Sequence, residues 1–340
     1  MGLEKECKLN LFSKYEKGKK NLITDVPGVQ VGHVTLKGQD VHTGVTALLP
    51  HCGNMFREKL FAGVSVINGF GKSVGLVQVQ ELGTLESPII MTNTLSVGTA
   101  LTASVKYMLE QNQEIGVDTG TVNCVVTECN DGEMNDIRGL HVKEEHVFQA
   151  ISKAGEDFEE GAVGGGTGME MMALKGGIGS SSRTLTIDGK KYTIGTIAMT
   201  NYGTDDILMI GGDPIGRRIY AQCRKEDKGS CIIVIATDIP MIDRQLRRVA
   251  LRATHALART GSYSGNGSGD IAIAFSTANK IEHFNKEKFK NVTMIYDEEL
   301  SPVFEATVEA VEEALISSIY HAQTTKGIRG KILRSLREYL

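Results

Sequence analysis

A continuous apolar run at residues 231–236, Cys-Ile-Ile-Val-Ile-Ala, constrains the fold more than any other feature of the chain. Six apolar residues in succession leave no polar face for solvent. Such a run is typical of a short strand that is buried on both of its faces. The chain is therefore expected to contain a sheet that is covered on both sides.

The segments around this run predict both hairpins and helices. Asp188-Gly189 separates two β-rich runs, 183–187 and 190–199, and an Asp-Gly pair in this setting favours a type I′ hairpin turn. Periodicity and cap residues predict helices over 96–110 with Ser96 as N-cap, 144–154, 241–259 and from Ser301-Pro302, and strands over 121–128 and 270–275. Hairpins mixed with helices indicate an α+β layered fold with a largely antiparallel sheet.

The composition excludes several classes of function. A formal net charge of −4 provides no basic field for nucleic acid or an anionic membrane. The six cysteines form no C-x-x-C pair, which favours reduced cytoplasmic thiols over disulfides or structural zinc. The polar leader, 1–20, lacks the apolar segment of a signal peptide, so a cytoplasmic protein is expected. At about 150 residues per domain, a length of 340 residues allows two domains or one large α/β domain.

Three glycine-containing motifs are weak candidates for chemistry. Gly71-Lys72-Ser73 resembles the end of a phosphate loop, but Val66 stands where that loop needs its first glycine. The segment 71–75 also matches G-x-S-x-G, although no downstream histidine has a distinctive setting. The segment 164–168 is Gly-Gly-Gly-Thr-Gly, without the last glycine of a dinucleotide fingerprint. Turns and bends are the favoured interpretation of all three.

The junction between Gly229 and Ser230 offers a fourth candidate. A serine that opens a strand is more often structural. A Gly-Ser pair after a polar loop, 224–228, is however what self-cleavage requires, since glycine permits a strained geometry and the serine hydroxyl can attack the preceding carbonyl. Hydrolysis of the resulting ester would leave Ser230 with an α-amino group of reference pKa about 7.7–8.0, which suits a general base.

The segment Gly267-Ser268-Gly269-Asp270 opens the predicted strand 270–275. Residues two apart in an extended segment share a face, so Ser268 and Asp270 are expected to project together. A polar strand start beneath a turn is the structural interpretation. The functional interpretation is a hydroxyl–carboxylate pair that relays or orients protons.

A series of short motifs runs through the chain in order. They are Thr24-Asp25-Val26-Pro27-Gly28, Asn68-Gly69-Phe70-Gly71-Lys72, Thr92-Asn93-Thr94-Leu95, Asn135-Asp136-Ile137, the Gly164–Gly168 stretch, Asn201-Tyr202-Gly203 and the region 230–277. Together they resemble the L-aminopeptidase/D-esterase family, which includes the β-peptidyl aminopeptidases. The resemblance covers about residues 20–322. It implies a single domain over 21–340, a four-layer αββα sandwich of the self-cleaving aminopeptidase and ornithine acetyltransferase type, with no metal and no organic cofactor.

The resemblance also implies roles for single residues. Ser230 corresponds to the nucleophile released by cleavage after Gly229, and Ser268 to the serine that assists proton transfer. Asp270 stands where well-known members carry Glu, so the carboxylate is retained with a shorter reach. Asn201 corresponds to the asparagine that helps to form the oxyanion hole.

Substrate-binding residues follow from the same resemblance. Glu128 corresponds to the carboxylate that holds the free ammonium group of the substrate. Two residues later, some relatives place an aromatic side chain at the site, whereas this chain has Asn130. The preferred substrate therefore stays open.

The predicted function is that of a self-processing serine aminopeptidase acting on short peptides, amino-acid amides or esters. The chain is expected to divide into 1–229 and 230–340 and to assemble as a homo-oligomer of processed units. Two alternatives stay open, an acyltransferase of the ornithine acetyltransferase type and an uncleaved ligand-binding protein. The basic C-terminal positions predict a solvated helix face, and they are Lys326, Arg329, Lys331, Arg334 and Arg337.

Overall fold

The structure, a computed structural model, describes residue 11 and residues 13–220 and 229–340. The strands are β1 Gln30–Lys37, β2 His42–Leu49, β3 Glu58–Gly69, β4 Thr84–Leu85, β5 Ile89–Asn93, β6 Val125–Cys129, β7 Glu170–Met171, β8 Leu174–Lys175, β9 Ile178–Ile187, β10 Lys190–Asn201, β11 Ser230–Thr237, β12 Gly269–Glu282, β13 Thr325–Lys326 and β14 Ile332–Leu333. The α-helices are α1 Leu76–Leu82, α2 Val97–Gln111, α3 Glu144–Ser152, α4 Ile215–Ile219, α5 Asp243–Leu251, α6 Ala253–Arg259 and α7 Leu300–His321.

Two large sheets form the centre of the molecule. One has four strands in the order β1-β2-β5-β6, and the other has six in the order β4-β3-β12-β11-β10-β9. Antiparallel pairing dominates, but β5 with β6 and β11 with β12 are parallel pairs. The predicted α+β fold with a largely antiparallel sheet is confirmed.

The sheets and helices stack in four layers. An apolar cluster joins the facing sides of the two sheets, with Met91 and Val125 from the smaller sheet and Val234 and Ile273 from the larger one. Helices α2 and α3 cover the outer side of the four-stranded sheet. Helices α5, α6 and α7 cover the outer side of the six-stranded sheet. This αββα order is the one that the resemblance implied.

Strand β11 is buried along its whole length, as its apolar run predicts. Ile233 and Ile235 pack against the helices, whereas Ile232 and Val234 pack between the sheets. Alternate residues of one strand therefore serve two different cores, which explains why the run has no polar face.

The predicted hairpin is also confirmed. Strands β9 and β10 pair antiparallel with Lys190 opposite Ile187. Both turn residues have positive φ, 48° at Asp188 and 74° at Gly189, as a type I′ turn requires.

Several predicted boundaries are wrong. Helix α2 follows a 3-10 turn, and the Asn93 side chain, not that of Ser96, accepts the capping hydrogen bond at that turn. Strand β6 begins only at Val125, so residues 121–124 precede it. The helix predicted over 241–259 is two helices, α5 and α6. Helix α7 begins at Leu300, with Glu299 rather than Ser301 at the N-cap position.

The C-terminal segment does not form the predicted basic helix face. Strands β13 and β14 pair there. A 3-10 turn at Ile328–Gly330 separates them, and another at Leu336–Glu338 follows them.

Residues 13–20 of the polar leader lie against the larger sheet and α7, where the Lys14 N–H donates to Glu309 Oε1 at 3.0 Å. Within the described part of the chain, no helix combines the length and apolar character needed to span a membrane.

Candidate active site

Backbone pairing brings several of the predicted site residues together at the ends of three strands. Ser230, the first residue of β11, lies opposite Asn201, the last residue of β10. On its other side Ser230 lies opposite Gly269, the first residue of β12. Gly269 stands between Ser268 and Asp270 in the sequence, so the strand ends bring the predicted nucleophile, amide and hydroxyl–carboxylate pair to one edge of the sheet.

The Ser230 hydroxyl contacts the peptide group that precedes it. Ser230 Oγ donates to the Gly229 carbonyl oxygen at 2.7 Å. The Gly269 N–H approaches both oxygens, at 3.3 Å from Ser230 Oγ and 3.3 Å from the Gly229 carbonyl. A hydroxyl and a backbone N–H donor therefore both lie within hydrogen-bonding distance of the carbonyl oxygen of the Gly229–Ser230 peptide bond.

Gly229 occupies a place where a side chain does not fit. A Cβ atom on this residue would lie 1.9 Å from the Asn201 carbonyl oxygen and 2.4 Å from Tyr202 Cα. Both neighbours are backbone atoms of the adjacent chain segment and cannot rotate away. Glycine is thus required for the close packing of the junction against the end of β10. The polar loop proposed at 224–228 lies outside the described residues.

Ser268 and Asp270 form the predicted pair. Ser268 Oγ donates to Asp270 Oδ1 at 2.7 Å, and both residues are buried. Asn68 supports the turn before them, because its side-chain amide donates to the carbonyl oxygens of Ser268 and, at 3.1 Å, Gly265. The sequence motif contained Asn68 but did not indicate this role.

The two faces of the sheet separate Asp270 from the Ser230 side chain. Asp270 pairs with Cys231, and Ala272, two residues after Asp270, packs on the helix side as Cys231 does. Burial, and secondly the Asp270 carboxylate, raise the pKa of the Cys231 thiol well above its ordinary value. Ser230 alternates with Cys231, so its side chain lies on the face between the sheets.

The amide of Asn201 is held at both ends. Its Oδ1 accepts the Glu170 N–H at 2.9 Å, and its Nδ2 donates to the Asn130 carbonyl oxygen at 3.0 Å. An amide nitrogen carries two N–H groups, so one remains after the bond to Asn130. These partners fix the orientation of the amide, because only the oxygen can accept from an N–H.

Glu128 lies near the end of β6 and is buried. Thr94 Oγ1 donates to Glu128 Oε2, and the Lys72 N–H donates to Oε1 at 2.8 Å. A Cβ atom added to Gly71 would lie 3.5 Å from Glu128 Oε1 and 3.7 Å from Gly269 Cα. Gly71 therefore lies between the Glu128 carboxylate and the start of β12. A buried carboxylate with these neutral donors can bind a cation such as an ammonium group.

Asn130 is exposed, and its side chain is engaged in its own turn. Its Oδ1 accepts the Gly132 N–H at 2.9 Å, while its carbonyl holds Asn201. The predicted substrate-binding residue therefore contacts the site through its backbone.

Sequence reasoning missed the parts played by Gly269, Thr94 and Glu170, because backbone donors and supporting hydroxyls leave little signal in residue types.

The weak glycine motifs form a connection and a turn in the structure. The segment 71–75 joins β3 to α1 and supplies the Lys72 N–H to Glu128. The segment 164–168 forms a 3-10 turn, in which the Gly165 N–H donates to Thr46 Oγ1 at 3.0 Å. Among the residues that the structure describes, no three His, Cys, Asp or Glu side chains are grouped so as to hold a metal ion.

Comparison with known proteins gives consistent matches over nearly the whole chain. The sequence profile described as peptidase family S58 matches residues 21–333. The β-peptidyl aminopeptidase BapA of Sphingosinicella microcystinivorans is 37% identical over 346 residues, covering 94% of this chain and 86% of that protein.

Solved structures match the fold equally closely. The PH0078 protein from Pyrococcus horikoshii OT3 superposes with a TM-score of 0.94 at 52% identity, covering 99% of this chain and 96% of that one. The L-aminopeptidase D-Ala-esterase/amidase from Ochrobactrum anthropi is described as a prototype for the serine aminopeptidases and a variant of the Ntn hydrolase fold. It superposes with a TM-score of 0.91 at 35% identity, covering 97% of this chain and 94% of that one.

Proposed function

Because the chain belongs to peptidase family S58 and is a serine-type aminopeptidase with an Ntn hydrolase fold, we propose that it cleaves itself before Ser230 and then releases N-terminal residues from short peptides, amides or esters. The observation that carries this proposal is the pairing of Ser230 with Asn201 on one side and with Gly269 on the other. That pairing joins a nucleophile to two donors for a developing oxyanion.

In the self-cleavage step, Ser230 Oγ attacks the Gly229 carbonyl carbon. The bond from that carbon to the Ser230 nitrogen breaks, the nitrogen takes up the hydroxyl proton, and an ester links the two residues. Water then hydrolyses the ester, which leaves a Gly229 carboxylate and a free Ser230 amine. The 2.7 Å contact of the hydroxyl with this peptide group and the nearby Gly269 N–H support the step.

In the peptidase reaction, the new Ser230 amine serves as general base for its own hydroxyl. Oγ attacks the scissile carbonyl of the substrate, and the Asn201 amide donates to the oxyanion. The leaving amine or alcohol takes up the proton and departs, and water hydrolyses the acyl-enzyme. The buried Ser268–Asp270 pair, which flanks the residue that pairs with Ser230, assists in moving the proton.

Glu128 selects substrates that carry a free amino group. Its buried carboxylate binds the substrate ammonium, which restricts cleavage to the first residue of the chain. Asn130, two residues after Glu128, takes part through its carbonyl oxygen, which holds the Asn201 amide. The proposed substrates are short peptides and amino-acid amides or esters of either α or β type.

The decisive experiment is a denaturing gel of the purified protein with N-terminal sequencing of the smaller band. Processing is expected to yield pieces of about 25 and 12 kDa, the smaller starting at Ser230, in proportion to residue number. Ser230→Ala should stay intact and should not hydrolyse amino-acid p-nitroanilides. Normal hydrolysis by Ser230→Ala would mean that the nucleophile lies elsewhere.

Ser276→Ala is the matched control. Ser276 is a buried serine of β12 that pairs with Thr237 at the far end of β11. This variant should be processed and active, so that loss of activity in Ser230→Ala reports the reaction rather than the loss of a buried hydroxyl. Protein that stays whole for days at neutral pH would favour a ligand-binding role, and acyl transfer to added amines in preference to water would favour a transferase.

Assembly and compartment belong to the same proposal. We expect the processed units to form a homo-oligomer, which sedimentation of the processed protein will test. The four described cysteines, Cys52, Cys124, Cys129 and Cys231, are free thiols, which supports a reducing, cytoplasmic compartment.

A further inference from the structure

The orientation of the Asn201 amide depends on two backbone groups that lie outside β10. The Glu170 N–H approaches Oδ1, and the Asn130 carbonyl approaches Nδ2. A half-turn of this amide would exchange oxygen for nitrogen and present an acceptor to the oxyanion. Catalysis by Asn201 therefore requires that the Glu170 backbone stay in place.

Lys175 holds the segment before Glu170 from inside the protein. This lysine of β8 is fully buried, and its ammonium donates to three carbonyl oxygens: those of Met169 and Gly176, both at 2.6 Å, and that of Gly166 at 3.3 Å. Met169 directly precedes Glu170. One ammonium thus ties together the turn and the hairpin from which the Glu170 N–H projects.

Lys331 holds the same segment from the C-terminal side. Its ammonium pairs with the Glu170 carboxylate and, at 2.8 Å, with Glu133 Oε2. Glu133 belongs to the turn that follows Asn130. Lys331 therefore joins the segment that contacts Oδ1 of Asn201 to the segment that contacts its Nδ2.

Backbone contacts of the C-terminal segment strengthen this arrangement. The Lys175 N–H donates to the Arg334 carbonyl at 2.9 Å, and the Ile328 N–H donates to the Met134 carbonyl at 3.1 Å. The segment around β13 and β14 thus lies across both supports of Asn201. In the processed enzyme it would belong to the downstream chain, whereas Asn201 and its supports would belong to the upstream chain.

From this geometry we infer that Lys175 and Lys331 are positioning residues for catalysis, which act by holding the Glu170 backbone so that its N–H fixes the Asn201 amide with a donor toward the oxyanion. The inference rests on the proposed function, since it assigns Asn201 to the oxyanion hole. Neither lysine has to touch the substrate. Their effect should appear in the chemical step rather than in substrate binding.

The experiment is a double-mutant cycle on processed enzyme with an amino-acid p-nitroanilide. Lys331→Met should lower kcat by about threefold or more with little change in KM, because coupling through a supporting network has this size. Asn201→Ala should lower kcat by about 10²- to 10³-fold. Lys331→Met added to Asn201→Ala should lower kcat no further, since the group that it positions is already gone.

Lys326→Met is the matched control. Lys326 is a basic residue of the same C-terminal segment, and it is exposed. This variant loses the same charge and should keep the kcat of the wild type. Lys331→Arg, which retains the charge, should recover most of the lost rate.

Lys175→Met gives a second and larger test. It should lower kcat by about 10- to 100-fold in the wild type and not at all in Asn201→Ala, because a displacement of about 1 Å costs up to about 100-fold in rate. If Lys175→Met does not fold, the Lys331 cycle decides alone. An equal loss of kcat in wild-type and Asn201→Ala backgrounds, or an unchanged kcat in Lys331→Met, overturns the inference.

These outcomes are separate from those that test the function itself. If the effects of the paired substitutions on kcat are additive in enzyme that is processed at Ser230, only the positioning role of the lysines is disproved. Failure of the wild type to process, or normal activity of Ser230→Ala, removes the proposed function and with it the basis of the cycle.

Discussion

Asn201 and Ser230 are direct partners in the antiparallel pairing of β10 with β11, and the carbonyl of Asn201 packs against Gly229. The proposed oxyanion donor, nucleophile and cleavage junction are therefore fixed by one backbone ladder. Strand β11 is buried on both sides, so this geometry is as rigid as the sheet itself. Preorganisation of this kind reduces the entropy lost in reaching the transition state.

Gly229→Ala is expected to block self-cleavage. The added Cβ would meet the backbone of Asn201 and Tyr202 at 1.9 and 2.4 Å, so the junction must move away from the end of β10. A displacement of about 1 Å at a reacting carbonyl costs on the order of 100-fold in rate. The measurement is the fraction of cleaved chain against time on a denaturing gel.

Gly98→Ala provides the control for that prediction, since a Cβ on Gly98 in helix α2 would have no atom within 4 Å. It should be processed like the wild type. Cleavage of Gly229→Ala at the normal rate would show that the close packing of residue 229 is not needed for the reaction.

Two substitutions at Asp270 test whether charge or reach matters. Asp270→Asn keeps the shape of the side chain but removes its charge, and kcat should fall by about 100-fold, as for loss of a proton-transfer group. Asp270→Glu keeps the charge and should retain more activity than Asp270→Asn, although a fully buried site must accommodate one more methylene. Steady-state kinetics on processed enzyme decide, and a higher kcat for Asp270→Asn would contradict the proposed role.

Glu128→Gln should weaken the binding of substrates with a free ammonium group. Charge-assisted hydrogen bonds contribute about 1.5–3 kcal/mol, so KM is expected to rise by about 10- to 100-fold. The exposed Glu81→Gln on α1 is the control and should leave KM unchanged. An equal loss with N-acetylated and free substrates would show that Glu128 does not bind the ammonium.

Asp131→Asn should alter the pH dependence of stability. Burial raises the pKa of Asp131 from 3.8 to about 6, and its Oδ2 has no hydrogen-bond partner among the described residues. In the folded wild type this carboxyl stays neutral up to about pH 6. The stability that the neutral form contributes is therefore complete below pH 3.8 and is lost as the pH rises through 6. The stability gained by Asp131→Asn should therefore grow by about 2 kcal/mol across that window and then level off.

Urea unfolding at several pH values between 4 and 6 will measure this gain. Burial lowers the pKa of Lys175 to about 7, so this lysine stays mostly charged over that range. The exposed Asp118→Asn should show no such trend. A gain that shrinks as pH rises would mean that Asp131 is bound as a carboxylate in the folded protein.

Local patterns in the sequence predicted the elements that depend on local physics. The apolar run of β11 and the Asp188-Gly189 turn were confirmed, since burial and positive φ each restrict residue type at the position itself. Helix boundaries were less well predicted. The cap at Asn93 and the break between α5 and α6 are set by packing, and neither leaves a strong signal in the residues.

The motifs identified most of the residues around Ser230 but not their arrangement. Ser268 and Asp270 were expected to be paired from their spacing, and they are. The roles of Glu170 and Lys331 could not be foreseen, because each acts on Asn201 from a segment far away in the chain.

The amino-acid sequence by itself determined the buried strand, the hairpin and the Gly-Ser junction, because strand pleating and glycine's freedom act over a few residues. Only the tertiary structure decided that Asn201, Ser230 and Gly269 lie side by side and that Asp270 lies on the opposite face of the sheet from the Ser230 side chain. Register between distant strands depends on how whole faces pack, which is a property of the assembled sheets rather than of any single segment.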